Sequence, residues 1–206
     1  MEIDKCIFTL INSGWSNSFF DSIMPCLSHL ADASIVWLWV VLIGMLSGWR
    51  LTHAARADLN NRQKRTLIVK AGLFFCLYIA LIYSVNAGVY NSLKHLSNRS
   101  RPYVHQTVIL RVSPTIVSNL KSNGSFPSGH ASNAFMLAAL LAELFRRKRA
   151  VFYGLAAMIA LSRVYLGVHY PSDVLIGGCL GLVIAWVMLY IRSTLNRITH
   201  DSFFPS

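Results

Sequence analysis

Four stretches of this chain, 33–49, 71–93, 150–162 and 174–191, carry no charged residue, and a fifth, 129–142, is charge-free behind a polar loop. A bilayer core is crossed by ~20 apolar residues in a helix, which satisfies its own backbone groups where no water can. Apolar runs this long and this frequent predict an all-α integral membrane bundle of about five transmembrane helices. Composition agrees: 54% of residues are hydrophobic and 13% charged, against roughly 25% charged in an average soluble domain. The first, second and last runs reach spanning length with little help. Segments 129–145 and 150–168 do so only if polar residues at their ends are accepted, so one end of each has work other than facing lipid.

A net charge of +11 could point to nucleic acid, but its distribution points to a membrane. Arg50, Arg56, Arg62, Lys64, Arg65 and Lys70 separate the first two spans, Arg146–Arg149 the third and fourth, and Arg192 and Arg197 follow the last. Alternating spans bring these 12 of the 19 basic residues to one side, the cytoplasm by the positive-inside rule. The C-terminus is then expected inside and the N-terminus outside. Residues 1–32, half apolar with interleaved Asn, Ser and Asp, read as an interfacial amphipathic helix or helix pair. They lack the basic flank and compact apolar core of a signal peptide. A single domain, 1–206, with its bundle core at 33–192, accounts for the chain. Cys76 and Cys179 read as packing residues, and Cys6 and Cys26 lack any metal-type spacing.

Three polar clusters interrupt the apolar pattern on the other side. "KHLSNRSRP" (94–102) closes the second span, "PSGH" (127–130) opens the third, and "SRVYLGVHYPSD" (162–173) joins the fourth to the fifth. Antiparallel spans bring all three to one end of the bundle, where Lys94, Arg101, His130, Arg163 and the His169/Asp173 pair converge. An ammonium and two guanidinium forks suit the oxygens of a phosphate. Ser128 can cap the helix that Gly129 opens, and the start of that helix is itself an anion site. Gly167 can end the fourth helix and Pro171 can begin the fifth. This seats His169 on the corner, with Asp173 one turn on to fix its tautomer and leave the other ring nitrogen as a nucleophile. His130 is available to protonate a leaving oxygen. Arg163 would be costly in hydrocarbon without a partner. Lys5, Arg99, Arg111 and Lys121 fall outside these roles, and His29, His53, His95, His105 and His200 read as ordinary interface residues.

The clusters match K-x6-R-P, P-S-G-H and S-R-x5-H-x3-D in order and spacing, and in this the chain resembles the type 2 phosphatidic acid phosphatase superfamily, whose signature the vanadium haloperoxidases share. The resemblance implies phosphate binding by Lys94, Arg101, Arg163, Ser128 and Gly129. It implies attack by His169 to give a phosphohistidine, orientation of His169 by Asp173, and acid then base work by His130. It also implies a metal-independent lipid phosphatase without a cofactor, acting at the outer leaflet of a bacterial inner membrane, with no nucleic-acid partner. Undecaprenyl pyrophosphate, lipid A phosphate, phosphatidylglycerol phosphate, phosphatidic acid and diacylglycerol pyrophosphate are the candidate substrates, and segment 103–126, with Arg111 and Lys121, is expected to shape headgroup choice. A phosphotransferase using the same intermediate, or a non-catalytic lipid or anion transporter, are the alternatives.

Overall fold

A computed structural model describes residues 2–54, 60–121 and 124–203; Arg56 and Asp58 lie outside the described residues. The described chain is all helical: α1 (Glu2–Thr9), running through a π-turn at Leu10–Gly14, α2 (Ser18–His29), α3 (Ala33–Ala54), α4 (Asn61–Ser97), α5 (Pro102–His105), α6 (Pro114–Lys121), α7 (Gly129–Leu144), α8 (Arg149–Tyr165) and α9 (Pro171–Phe203).

Stretches within α3, α4 and α9 are long and apolar enough to cross a membrane. α7 and α8, at 16 and 17 residues, are only about 24–26 Å long, short of a ~30 Å hydrocarbon core. The sequence expected these two to need polar ends, and they have them.

α7 is the central helix. Most of its positions are buried, and it packs on α9, α8 and α4. Its approach to α9 is possible because Gly177 and Gly181 have no side chain: a Cβ there would meet the Ser128 and Ser132 carbonyl oxygens at 2.4 and 2.0 Å. An apolar core of Val36, Val40, Ile43, Ile82, Met136 and Leu140 joins α3, α4 and α7. A buried polar link crosses it, with Ser132 Oγ donating to Asn86 Oδ1 (2.6 Å) and Asn86 Nδ2 to Asn133 Oδ1 (3.0 Å). Each buried group thereby finds a partner, as a low-dielectric interior demands.

The basic segments gather at one end. Arg50 donates to the Leu144 carbonyl and sits over the Phe145 ring, and Arg50, Glu143 and Arg192 line one recess. The three polar clusters lie at the other end.

Residues 2–32 form the expected helix pair, and it does more than rest on a surface. Phe8, Ile11 and Met24 are buried against Ala160, Val164, Tyr165 and Val174. Asn12 is fully buried, donating to the Ile109 and Tyr165 carbonyls (3.0 and 2.8 Å) and accepting from Ile109 N–H (3.0 Å). Arg111 ties the same region together. It donates to Asp21, Ser16 Oγ and the Asn12 and Tyr165 carbonyls, and stacks over the Tyr165 ring. Arg111 thereby ties segment 103–113 to the turn after α1, to α2 and to α8, and it also lines the recess that holds His130 and Arg163. The side chain of Lys121 lies outside the described residues. The four cysteines are free, and Cys179 is exposed rather than packed.

Candidate active site

Local sequence rules place each group. Asn98 ends α4 in the left-handed conformation (φ 41°), where asparagine is tolerated, and turns the chain just past Lys94 so that Arg99 and Arg101 point back over the bundle. Ser128 caps α7, its Oγ accepting from Ala131 N–H at 3.4 Å, and its own N–H donates to the Asp173 carbonyl at 3.0 Å. Gly129 packs under Tyr90, where a Cβ would stand 3.0 Å from the ring. Gly167 takes φ 82° and ends the α8 corner, and Pro171 opens α9, as expected.

These devices bring Lys94, Arg101, Arg163, His130 and His169 within electrostatic reach of one another. Arg101 is buried; its Nη1 donates to the Val168 carbonyl at 2.9 Å and lies 3.3 Å from His169 Nε2. Nε2 is therefore the ring nitrogen that faces the cations, and Nδ1 faces Asp173. Arg163 is buried too, Nη1 donating to Ser28 Oγ on α2. Among the described residues, its Nε and His169 Nδ1 are buried without hydrogen-bond partners. Lys94 Nζ stands 5.9 Å from the Tyr90 ring centre.

Two expectations are corrected. Asp173 is not committed to His169 alone: its Oδ2 is 3.5 Å from His169 Nδ1 and accepts the Tyr170 N–H at 2.9 Å. As the third residue of α9, Asp173 reaches back to cap its own helix, which draws the carboxylate away from the ring. The other oxygen accepts from Arg99 Nη1 at 2.6 Å.

Arg99, set aside as a peripheral cation, is thus a partner of Asp173. It also donates through Nη2 to Asp4 Oδ2 (2.6 Å), while Asp4 accepts from Ser172 N–H and Oγ (2.9 and 2.6 Å). Burial would raise the Asp4 pKa, but its bonds from Ser172 and Arg99 outweigh that and lower it. The first helix is pinned to the start of α9 through this chain of charges.

The second correction is that the three clusters do not hold every residue at the site. Asp32, in the α2–α3 turn, accepts from both histidines: Oδ1 lies 2.7 Å from His130 Nε2 and Oδ2 2.6 Å from His29 Nδ1. Burial works to raise the Asp32 carboxyl, yet the His130 and His29 bonds prevail and hold it at about 2, so it is an anion at any working pH. No sequence cluster contained Asp32. Asp32 lies in the turn beyond α2, so no helical spacing ties it to His29, and its other partner, His130, is 98 residues away.

The arrangement is a cradle of three cations with two histidines, one backed by Asp173 and the other by Asp32. The PAP2 superfamily model matches residues 71–197, more than half of the chain. The chain belongs to the PAP2 superfamily. Among its relatives is a decaprenylphosphoryl-5-phosphoribose phosphatase of Mycobacterium tuberculosis, 31% identical over 162 residues, covering 79% of this chain and 75% of the relative. A lipid A 4'-phosphatase of Bacteroides thetaiotaomicron is 34% identical over 141 residues, covering 66% and 62%. The fold matches the crystal structure of a transmembrane PAP2-type phosphatidylglycerolphosphate phosphatase from Bacillus subtilis, with TM-score 0.66, 22% identity, and 94% and 86% of the two chains covered.

Proposed function

We propose that this protein is a membrane lipid phosphatase that removes a phosphate from a lipid through a phosphohistidine on His169. The observation that carries this is the placement of His169 Nε2 on the cation side, 3.3 Å from Arg101, with His130 in the same cluster held by its own carboxylate. Nε2 attacks phosphorus as the lipid P–O bond breaks, and His130, protonated beside Asp32, gives its proton to the departing lipid oxygen. Neutral His130 then takes a proton from water, whose oxygen attacks phosphorus; the N–P bond breaks and inorganic phosphate leaves. Lys94, Arg101 and Arg163 neutralise the charge that grows on the phosphoryl oxygens, joined by the Ser128 hydroxyl and the Gly129 N–H at the start of α7. The contact of 3.5 Å between His169 Nδ1 and Asp173 is of the kind that tightens when an anion is bound.

Purified protein should release phosphate from at least one of phosphatidic acid, phosphatidylglycerol phosphate, lipid A and undecaprenyl pyrophosphate in detergent. Because fixed cations supply the neutralisation, release should persist in excess EDTA. Loss of activity in EDTA, restored by magnesium, would overturn the metal-free mechanism. Transfer of phosphate to an added lipid alcohol with little free phosphate would make the enzyme a phosphotransferase.

Five spans and an outward site complete the proposal, with the basic end of the bundle in the cytoplasm. In a background lacking the four native cysteines, Thr115→Cys should react with an impermeant maleimide in intact cells. Asn60→Cys should react only after permeabilisation. The reverse pattern would invert the orientation.

A further inference from the structure

Displacement at phosphorus sets the entering and departing atoms roughly in line, on opposite sides. On the phosphatase reading, which this inference rests on, His169 is the entering group and His130 serves the departing oxygen. That oxygen belongs to the lipid. The body of the lipid must therefore leave the cradle on the His130 side, towards α2, α3 and α8.

The structure has two adjoining recesses there. In the upper one, about 510 Å³, Ser28, His29, Asp32, Arg111, His130 and Arg163 set polar groups into largely apolar walls, with Ile116 and Leu120 of α6 among them. Below it runs a groove of about 160 Å³ between α3 and α8, floored by α7, in which every lining side chain is apolar. Leu30 lines the groove and stands in sequence between His29 and Asp32 of the upper recess, and its carbonyl accepts from Trp39 Nε1 at 3.3 Å on the α3 side.

The helical register aligns groove and chemistry. On α7, Ala134 and Ala138 follow His130 at successive spacings of four, so they share its face. On α8, Ile159 lies one turn from Arg163, with Ala156 and Phe152 beyond it. Both catalytic-end charges thus head a stripe of apolar residues, and alanines along it make a trough where larger side chains would make a ridge. From Ala134 to Phe145 the trough follows about 17 Å of α7.

We propose that this groove holds the hydrocarbon chain nearest the phosphate of the lipid substrate. The linkage between chain and phosphate lies in the upper recess, beside its polar groups, and the trough sets the direction from which the lipid enters.

Two measurements test this. Leu155→Trp fills the groove from its partly exposed rim. It should lower kcat/KM for dioleoyl phosphatidic acid by about tenfold, since several methylenes lose their apolar contact, while dihexanoyl phosphatidic acid and p-nitrophenyl phosphate change less than about twofold. In the unsubstituted protein, phosphatidic acid with a diazirine in its chain should label the α7 and α8 faces of the groove, and unlabelled phosphatidic acid should compete where phosphatidylcholine does not. Unchanged long-chain turnover in Leu155→Trp, or competition by both lipids alike, would overturn the proposal. Failure of the unsubstituted protein to release phosphate from these three substrates and from phosphatidylglycerol phosphate, lipid A and undecaprenyl pyrophosphate would strike the phosphatase reading itself.

Discussion

His169→Ala is expected to abolish phosphate release, by a factor on the order of 10⁴ or more, because no neighbouring group can take over as nucleophile. Lys94, Arg101 and Arg163 are cations, and His130 is turned towards Asp32. The substrate should still bind, since the cradle is intact, so Kd should hold while kcat collapses. Enzyme given radiolabelled lipid and quenched in alkaline detergent should show an alkali-stable, acid-labile phosphoenzyme that the substitution removes. Persistence of that adduct in His169→Ala would reassign the nucleophile.

Asp173→Asn and Arg99→Ala bear on the same nitrogen in different ways. An amide can turn its nitrogen towards Nδ1, which disfavours the tautomer that leaves Nε2 free, so Asp173→Asn should leave only weak activity. Arg99→Ala removes the ion pair on Asp173 Oδ1 and leaves Asp4 without its guanidinium. It should lower kcat by a smaller factor, about tenfold, and weaken the docking of α1.

The bundle, the three clusters and the helix ends around them were legible because each rests on a local rule: charge-free runs of spanning length, Ser128 before Gly129, Gly167 at a corner, Pro171 opening a helix. Arg111 and Arg99 were not. Their partners, Asp21, Asp4 and Asp173, lie 90, 95 and 74 residues away, and no periodicity relates them. Residues 2–32 carry the pattern of an amphipathic surface pair. That pattern is silent on the buried Asn12 and on Asp4 and Asp32, the two carboxylates that reach into the site, because an isolated Asp has no signature until the fold supplies its partner. The capping role of Asp173 was open to inspection, since the third position of a helix often reaches back to the residue before it. Its rank as a catalytic candidate obscured its simpler local duty.

Asp32→Asn should show that the partner of His130 matters to one half of the reaction. General acid help is worth about 10²–10⁴, and a misoriented, uncharged partner should forfeit about 10- to 100-fold of it on a lipid substrate. The same loss should shrink for p-nitrophenyl phosphate, whose leaving oxygen needs little protonation. His130 faces Asp32 from the α2–α3 turn, Arg163 from α8 and Lys94 from α4, so Asp32 is the anion that offsets two cations. With the carboxyl held at about 2, that anion is present throughout the working range. Removing it leaves the ring without the carboxylate that fixes its tautomer and orientation. Asp32 also accepts from His29 and offsets Arg163, so the double variant Asp32→Asn/His130→Ala should be slower than His130→Ala, but by less than the loss seen in Asp32→Asn alone. Fully additive losses, or an equal loss on both leaving groups, would make Asp32 a packing residue and take it out of the acid step.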